Sequence, residues 1–308
     1  MPHHGELDVT PTFAASTGTR LALPLADGSL SGLSWGEPRT PPDLLFQHAT
    51  GFNAQTYGPL LEPLGERHAI LALDQRGHGF SALPADPEGM VDWMPYARDL
   101  IAVIDRLVPD GARPLVLAGH SMGAVVSLLA AAARPKAVRG LVLLDPVMMN
   151  PLLRLAAYTP WGRAKFRNFG LAVAAAKRRA VFASKEEAVE TYRTRKAFST
   201  WQPGFLEAYV DGGFVVDGEG VRLACAPAWE SMTFASHRHR SWAALKSLKM
   251  PVRVLTAAHG STVMGGVAKI RSVQPRAVAE VVEGTSHFFP MERPDQVRAV
   301  LAAMLAKT

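Results

Sequence analysis

A serine between two glycines, at the junction of a strand-like and a helix-like segment, constrains this chain more than any other feature. Residues 115–118 are apolar and typical of a buried strand. Ser121 follows between Gly119 and Gly123, and an alanine- and leucine-rich helical segment begins at Met122. Glycine at these two positions lets the strand and helix backbones pass each other in a tight turn. The arrangement predicts that the Ser121 hydroxyl stands above a sheet edge, with the backbone N–H of Met122 beside it.

The rest of the chain alternates short apolar segments with helical ones, which is typical of βαβ units around a mostly parallel sheet. Six segments read as strands: 43–47, 69–73, 114–118, 140–144, 251–256 and 277–282. Four segments have helical spacing and suitable ends: 57–64, 93–107, 122–133 and 295–305. We therefore predict an α/β fold.

The stretch 146–240 departs from this alternation. It contains few strand-like segments, several helix-like ones and many aromatic residues. Open α/β sheets bind their ligands at the carboxyl ends of the strands, so we expect this stretch to form a mainly helical cap over that edge. The predicted domains are a core of residues 1–145 and 241–308 and a cap of residues 146–240. The aromatic side chains of the cap predict a largely apolar pocket.

Four motifs, in order along nearly the whole chain, resemble those of the α/β-hydrolase family. They are the oxyanion-loop-like segment 48–52, the turn 74–81 with the pattern D-x-R-G-x-G-x-S, the nucleophile-elbow pattern 119–123, and the histidine-bearing segment 284–288. The resemblance implies the α/β-hydrolase fold, with Ser121 as the nucleophile and His287 as the general base.

One residue departs from the family's pattern in the first motif. Many members have glycine directly after the first histidine, where this chain has Ala49. The resemblance implies Met122 as one backbone donor to the oxyanion. It leaves Ala49, Thr50 and Phe52 open as the second.

The position of the acid that orients the base is also unusual. No Asp or Glu occurs from residue 231 to residue 279, a range that includes the loop in which many members carry this acid. Asp145 ends the preceding strand, and some members place the acid there. We predict Asp145 as the acid. Glu230 or Asp217 from the cap, or a site working without an acid, are the alternatives.

Several other polar residues in the motifs are predicted to be structural. His48 and His78 are expected to hold loop geometry through hydrogen bonds, and His120 is expected to shape the surroundings of the elbow. Asp74 and Arg76 are expected to form a buried ion pair or hydrogen-bond set within their turn.

Charge and composition argue against several classes of protein. The 33 Lys and Arg residues exceed the 27 Asp and Glu residues by six, but they are spread along the chain, so we predict no nucleic-acid partner. No apolar run is long enough to span a membrane, and residues 1–13 lack the features of a secretory leader. Cys225 is the only cysteine and is expected to be a buried free thiol. We predict a cytoplasmic protein.

The reaction that these residues predict is hydrolysis of a carboxylic ester or lactone through a covalent acyl-enzyme, without a metal or organic cofactor. The spacing of His237 and His239 fits no metal site. The expected partner is a small-molecule substrate with an apolar acyl or alcohol group, and the oligomeric state is not predicted. Hydrolysis of C–C bonds, hydrolysis of thioesters, and perhydrolysis can use the same triad. A non-catalytic small-molecule-binding protein is the alternative of another class.

Overall fold

A computed structural model describes residues 18–306. Its strands are β1 Thr19–Leu25, β2 Gly28–Trp35, β3 Leu44–Gln47, β4 Ile70–Leu73, β5 Leu115–His120, β6 Val138–Leu144, β7 Val181–Phe182, β8 Phe214–Asp217, β9 Gly220–Leu223, β10 Val252–Ala257 and β11 Val278–Val282. Its α-helices are α1 Gly58–Leu61, α2 Met94–Leu107, α3 Met122–Ala133, α4 Pro151–Ala156, α5 Pro160–Arg167, α6 Gly170–Ala176, α7 Lys185–Arg193, α8 Phe205–Gly213, α9 Pro227–Ala235, α10 Ser241–Ser247, α11 Gly266–Val273, α12 Phe289–Glu292 and α13 Pro294–Leu305. Short 3₁₀ helices lie at Gln55–Tyr57, Glu62–Glu66 and Lys196–Phe198.

Eight strands form one twisted sheet in the order β1-β2-β4-β3-β5-β6-β10-β11. The pairs β1–β2 and β2–β4 are antiparallel, and the strands from β4 to β11 are parallel. Every residue of β3, β4 and β5 is buried, because helices cover both faces of the sheet. The six predicted strands are all present in this sheet, which confirms the predicted α/β fold.

The sequence patterns missed two β elements. The hairpin β1–β2 was not predicted because β1 has only exposed or half-buried residues and β2 is rich in serine and glycine. The strands β7, β8 and β9 form a separate antiparallel sheet within the stretch 146–240, in the order β7-β9-β8. These strands have two to four residues each, too short for a recognisable alternation.

The helices follow their predicted spans closely. Helix α3 has the predicted bounds, and α13 begins at Pro294, one residue before the expected start. Asp92 accepts a 2.9 Å hydrogen bond from the N–H of Met94, the first residue of α2. The predicted helix at 57–64 is a short α-helix between two 3₁₀ turns, since Pro59 and Pro63 interrupt its backbone bonding.

The stretch 146–240 holds α4 to α9, the small sheet and an aromatic core of its own. Phe182, Tyr192, Tyr209 and Phe214 are buried together there. Side chains of this stretch and of the main sheet's carboxyl edge line one cavity. Within residues 18–306, no helix is long and apolar enough to cross a membrane. The predicted absence of a leader concerns residues 1–13, which lie outside the described range.

Candidate active site

The turn that carries Ser121 has a strained backbone conformation. Ser121 has φ 57° and ψ −115°, outside the regions that non-glycine residues prefer. A Cβ added to Gly119 would lie 2.4 Å from the carbonyl oxygen of Gly123. A Cβ added to Gly123 would lie 2.3 Å from the carbonyl oxygen of Gln47. Gly119 is therefore required for the close passage of β5 and α3 that the sequence predicted, and Gly123 is required for the close approach of α3 to the end of β3.

The structure brings Ser121, His287 and Asp145 together in one hydrogen-bonded chain. His287 Nε2 lies 3.0 Å from Ser121 Oγ, and His287 Nδ1 lies 2.6 Å from Oδ2 of Asp145. With its proton on Nδ1, the imidazole donates to the carboxylate and accepts the Ser121 hydroxyl at Nε2. This arrangement can remove the serine proton and stabilise the imidazolium that forms.

Asp145 lies at the end of β6 with φ 41°, and its N–H donates to the Leu255 carbonyl over 2.7 Å. Its buried carboxylate also accepts hydrogen bonds from the Ala257 N–H (3.1 Å), the Ser261 hydroxyl (2.6 Å) and the Thr262 N–H (3.0 Å). Burial by itself would raise the pKa of Asp145. The hydrogen bond and charge of His287, with the donors of the loop, instead bring this pKa below its ordinary value.

Ser261 and Thr262 are functional candidates that the sequence patterns missed. They lie in the loop after β10, which has no carboxylate of its own. Instead of carrying the acid, this loop donates two hydrogen bonds to the carboxylate at the end of the neighbouring strand β6, and Ala257 at the end of β10 donates a third. The pair of small hydroxyl residues at the vacant position, Ser261-Thr262, was the available clue.

The loop 49–52 faces Ser121 across the cavity, and most of its amides are engaged. The Ala49 N–H donates to the Tyr57 hydroxyl (3.2 Å), the Gly51 N–H to His78 Nε2 (3.1 Å), and the Phe52 N–H to the Ala49 carbonyl (3.1 Å). Among residues 18–306, no acceptor is found for the Thr50 N–H. Of the three predicted second donors, Thr50 is therefore the one whose amide is not already used.

Three buried histidines hold the loops around the site. His48 Nδ1–H donates to the Ala49 carbonyl and Nε2 accepts from the Gln75 N–H. His120 accepts from the Tyr57 hydroxyl at Nδ1 and donates from Nε2 to the His287 carbonyl over 2.9 Å. Burial lowers the pKa of His48 to about 4 and that of His120 to about 3.

His78 completes this set. Its Nδ1–H donates to the Arg76 carbonyl over 2.9 Å, and its Nε2 accepts from the loop at Gly51. Burial, together with the neighbouring His48, lowers its pKa to about 3. His48 and His78 therefore make the loop-holding hydrogen bonds that were predicted for them, and His120 makes comparable bonds within the elbow.

Asp74 and Arg76 do not pair with each other, which corrects the expectation for the turn 74–81. Asp74 forms a 2.9 Å ion pair with Arg20 and also accepts from the Ala54 N–H. Arg76 binds both oxygens of Asp99 at 2.7 and 2.9 Å. Hydrogen bonds hold the turn as expected, but each charged group finds its partner on another segment.

A cavity of about 670 Å³ opens above Ser121. Its walls combine the sheet-edge loops with aromatic and aliphatic side chains of the stretch 146–240. The apolar walls from that stretch include Phe169, Leu171, Ala174, Ala175, Phe198, Trp201 and Phe234. The site can therefore hold a small molecule with a sizeable apolar group.

One ion pair stands among these apolar walls. Arg178 donates to Glu230 over 2.8 Å and to the hydroxyls of Tyr192 and Tyr209. Glu230, one alternative for the acid, is thus bound to Arg178. Asp217, the other alternative, lies exposed at the end of β8. Neither makes a hydrogen bond with His287 within the described range.

Two further predictions concern residues away from the triad. Cys225 is a buried free thiol, as predicted, and burial raises its pKa. His239 stacks on Trp93 with ring centroids 4.4 Å apart, and His237 lines the cavity. From residue 18 to residue 306, no group of three or more His, Cys, Asp or Glu side chains is arranged to hold a metal ion.

Comparison with known proteins gives consistent matches along most of the chain. A family model described as "Alpha/beta hydrolase family" matches residues 44–300. A 2-(acetamidomethylene)succinate hydrolase of Mesorhizobium japonicum is 27% identical over 264 residues, covering 84% of this chain and 86% of that protein. A monoglyceride lipase of Mus musculus is 37% identical over 123 residues, covering 38% of this chain and 39% of the lipase.

A solved structure shares the fold. The crystal structure of an E-2-(acetamidomethylene)succinate hydrolase superposes with a TM-score of 0.76 at 21% identity, covering 94% of this chain and 99% of that one. The eight-stranded sheet with its flanking helices is therefore an arrangement already known in hydrolases.

Proposed function

This chain belongs to the alpha/beta hydrolase family, and from that premise we propose that it is a serine hydrolase that cleaves a carboxylic ester or lactone through a covalent acyl-enzyme. The observation that carries the proposal is the hydrogen-bonded chain from Ser121 Oγ through His287 to Asp145, at 3.0 and 2.6 Å. A serine hydroxyl is a poor nucleophile unless a base of this kind removes its proton.

In the acylation step, Ser121 Oγ attacks the carbonyl carbon of the substrate while its proton passes to Nε2 of His287. Asp145 keeps the other imidazole proton on Nδ1 and stabilises the imidazolium. When the tetrahedral intermediate collapses, His287 gives the proton to the leaving alkoxide, and the acyl group stays bonded to Ser121.

We assign the oxyanion donors to the backbone N–H groups of Met122 and Thr50. Met122 is the first residue of α3, so its N–H has no acceptor within the helix and lies at the positive end of the helix dipole. The unengaged amide of Thr50 supports its choice over Ala49 and Phe52. Two such donors stabilise the negative charge that forms only in the transition state and the intermediate.

In the deacylation step, His287 takes a proton from a water molecule that attacks the acyl carbon. The second tetrahedral intermediate collapses, the carboxylic acid leaves, and the proton returns to Ser121 Oγ. No step of this cycle calls for a group other than the chain's own side chains, two amides and water.

The walls of the cavity support a substrate with an apolar acyl or alcohol group. We propose that residues 146–240 form the cap and residues 18–145 and 241–306 form the core, with the substrate held between them. Phe198, Trp201 and Phe288 lie on the cavity wall next to one another, with ring centroids 4.7 Å apart for Phe198–Trp201 and 5.7 Å for Trp201–Phe288. Burying such a group in this wall would provide binding energy in proportion to its apolar area.

A second candidate is hydrolysis of a substrate that carries a carboxylate group. Arg178 and Arg195 line the cavity, and Glu230 is the one acidic lining residue among those described, which leaves one positive charge in excess. The relative that this chain matches over most of its length is named for a succinate. Here the arginines would hold the carboxylate while the same triad acts on the neighbouring carbonyl.

The test is hydrolysis of p-nitrophenyl esters of increasing acyl length, with p-nitrophenyl hemisuccinate as the anionic member. We expect turnover by the wild type, and loss of several orders of magnitude in kcat for Ser121→Ala. Ser127→Ala is the matched control, because Ser127 lies in α3, the helix that follows Ser121, and its hydroxyl donates to the Ala118 carbonyl away from the cavity.

The two candidates separate on the substrate preference. A rise of kcat/KM with acyl length favours the apolar ester. A preference for the hemisuccinate that Arg195→Met abolishes favours the carboxylate substrate. If the wild type and Ser121→Ala are equally inert towards esters, lactones and thioesters, the hydrolase proposal is wrong and a binding role replaces it.

A further inference from the structure

The segment 150–177, which we call the cap patch, exposes an unusual amount of apolar surface. It contains α4, α5 and α6, and seven of its large apolar side chains are exposed: Leu152, Leu153, Leu155, Tyr158, Trp161, Phe169 and Leu171. Leu152 is 75% exposed and Trp161 is 68% exposed. More than half of the strongly exposed large apolar residues in the range 18–306 lie in these 28 positions. Such a concentration of exposed apolar side chains in one segment is typical of an interaction surface.

The charge of the cap patch is of one sign. The patch contains five basic residues, Arg154, Arg163, Lys165, Arg167 and Lys177, and no Asp or Glu. None of the five forms an ion pair with a carboxylate within the described part of the chain. Lys165 Nζ instead lies 5.2 Å from the centre of the Trp161 ring. A tryptophan beside a lysine is a combination suited to the boundary between lipid headgroups and acyl chains.

The cap patch reaches the mouth of the substrate cavity. Phe169 and Leu171 are both exposed at the surface and part of the cavity wall. Whatever covers the cap patch therefore lies next to the entrance of the cavity. An apolar molecule could pass from that covering into the cavity without crossing bulk water.

We propose that the cap patch docks on a lipid surface with anionic headgroups. The exposed leucines and Trp161 would enter the headgroup boundary, and the five basic residues would face the negative charge. A second copy of this chain fits less well, since face-to-face pairing would oppose two acid-free basic surfaces. A nucleic acid would leave the four exposed leucines without a partner, because proteins bind nucleic acids through basic and aromatic side chains. The inference does not depend on the bond that the enzyme cleaves.

The test is flotation of the full chain with two kinds of vesicle. One contains phosphatidylcholine alone, and the other contains phosphatidylcholine and phosphatidylglycerol in equimolar amounts. We expect binding to the anionic vesicles that added salt weakens. Leu152→Ser combined with Trp161→Ser should reduce the partition coefficient by roughly tenfold or more for each side chain. Arg163→Gln combined with Lys165→Gln should reduce it by about fivefold for each charge on anionic vesicles only.

Matched controls lie at the amino end of β11, on the edge of the sheet opposite to the cavity. Val278→Ser removes an apolar side chain that is 48% exposed, and Arg276→Gln removes an exposed charge. Both should bind vesicles as the wild type does. Ser121→Ala should also bind normally, so a failure of the proposed catalysis would not be mistaken for a failure of docking.

Three results would overturn the proposal. They are absence of binding to either vesicle, equal binding to both vesicles at every salt concentration, and equal effects of the control and cap-patch variants. A concentration-dependent dimer in solution that Trp161→Ser dissociates would assign the cap patch to self-association instead.

Discussion

The hydroxyl of Ser261 donates a 2.6 Å hydrogen bond to Oδ1 of Asp145. Ser261 belongs to the loop after β10, where many alpha/beta hydrolases carry the acid itself. In the mechanism proposed here the acid is Asp145, at the end of β6, and the loop provides donors to its carboxylate. A carboxylate that accepts several hydrogen bonds remains ionised even when buried, which is what the orientation of His287 requires.

Ser261→Ala should therefore shift the pH dependence of the reaction. Removing a donor to the ionised form raises the pKa of Asp145, so the acid limb of kcat/KM should move to higher pH. A hydrogen bond to a charged group contributes about 1.5–3 kcal/mol, which predicts a loss of roughly tenfold or more in kcat/KM at low pH. The measurement is a pH–rate profile on a p-nitrophenyl ester.

The control for this prediction is Ser272→Ala, at an exposed serine of α11 whose hydroxyl donates to the Lys269 carbonyl. A uniform loss of activity with no displacement of the acid limb would mean that Ser261 acts on folding and not on the acid.

Asp145→Asn should lower kcat far more than substitution of either alternative acid, Glu230 or Asp217. An amide at this position cannot hold the imidazole in the required tautomer, and substitutions of this type cost roughly ten-thousandfold in kcat. Asp217→Asn, at an exposed turn, should leave kcat unchanged. Steady-state kinetics on the same p-nitrophenyl ester would compare the kcat values of these variants. A wild-type rate for Asp145→Asn would exclude it as the orienting acid.

Gly51→Ala tests how closely the loop 49–52 is held beside the nucleophile. Gly51 has φ +74°, and a Cβ there would lie 2.2 Å from Oε1 of Glu230. The clash should displace the neighbouring amide of Thr50, and loss of one oxyanion donor typically costs a hundredfold or more in kcat, so we expect roughly that loss. KM should change much less.

Gly89→Ala separates the effect of backbone strain at a positive φ from the effect of displacing the loop 49–52. Gly89 has a similar φ of +76°, but a Cβ there would have no neighbour within 4 Å. It should lower stability by about 1 kcal/mol and leave kcat unchanged. Shortening the clashing side chain, by Glu230→Ala in the Gly51→Ala background, should restore part of the activity. If Gly51→Ala and Gly89→Ala behave alike, the contact with Glu230 does not control the loop.

Acid pH should destabilise the fold through the buried histidines. A histidine whose folded pKa lies below its ordinary value of 6.5 takes up protons more readily in the unfolded chain, so the free energy of unfolding falls as pH drops below 6.5. For His237, whose burial lowers the pKa to about 4, the loss should continue from pH 6.5 to about pH 4. Each such group contributes up to about 1.4 kcal/mol per pH unit.

His237→Phe should reduce this slope, because it removes a titrating group while an aromatic ring still packs against Trp93 and Phe166. Urea unfolding at pH 7, 6 and 5 measures the slope for the wild type and the variant. Identical slopes would show that His237 does not remain neutral in the folded state.

The parts of the site that depend on one local pattern were predictable from the sequence. The turn at Ser121 is such a pattern, because the two flanking glycines, the strand before it and the helix after it all point to one geometry. The partners of Asp74 and Arg76 were not predictable, since Arg20 and Asp99 lie on segments whose approach depends on the whole sheet. The role of Ser261 was missed for the same reason.

A larger side chain on α6 that fills part of the cavity should change the preference of the enzyme for acyl length. This substitution is the most direct test of where the substrate lies. Ala174 and Ala176 are both exposed on that helix, but only Ala174 lines the cavity. Ala174→Phe should leave kcat/KM for a p-nitrophenyl acetate nearly unchanged and lower it for longer acyl chains. Each methylene that is denied burial costs about 0.8 kcal/mol, or roughly fourfold in kcat/KM. Ala176→Phe should keep the wild-type profile, and if both variants keep it, the acyl group does not occupy this part of the cavity.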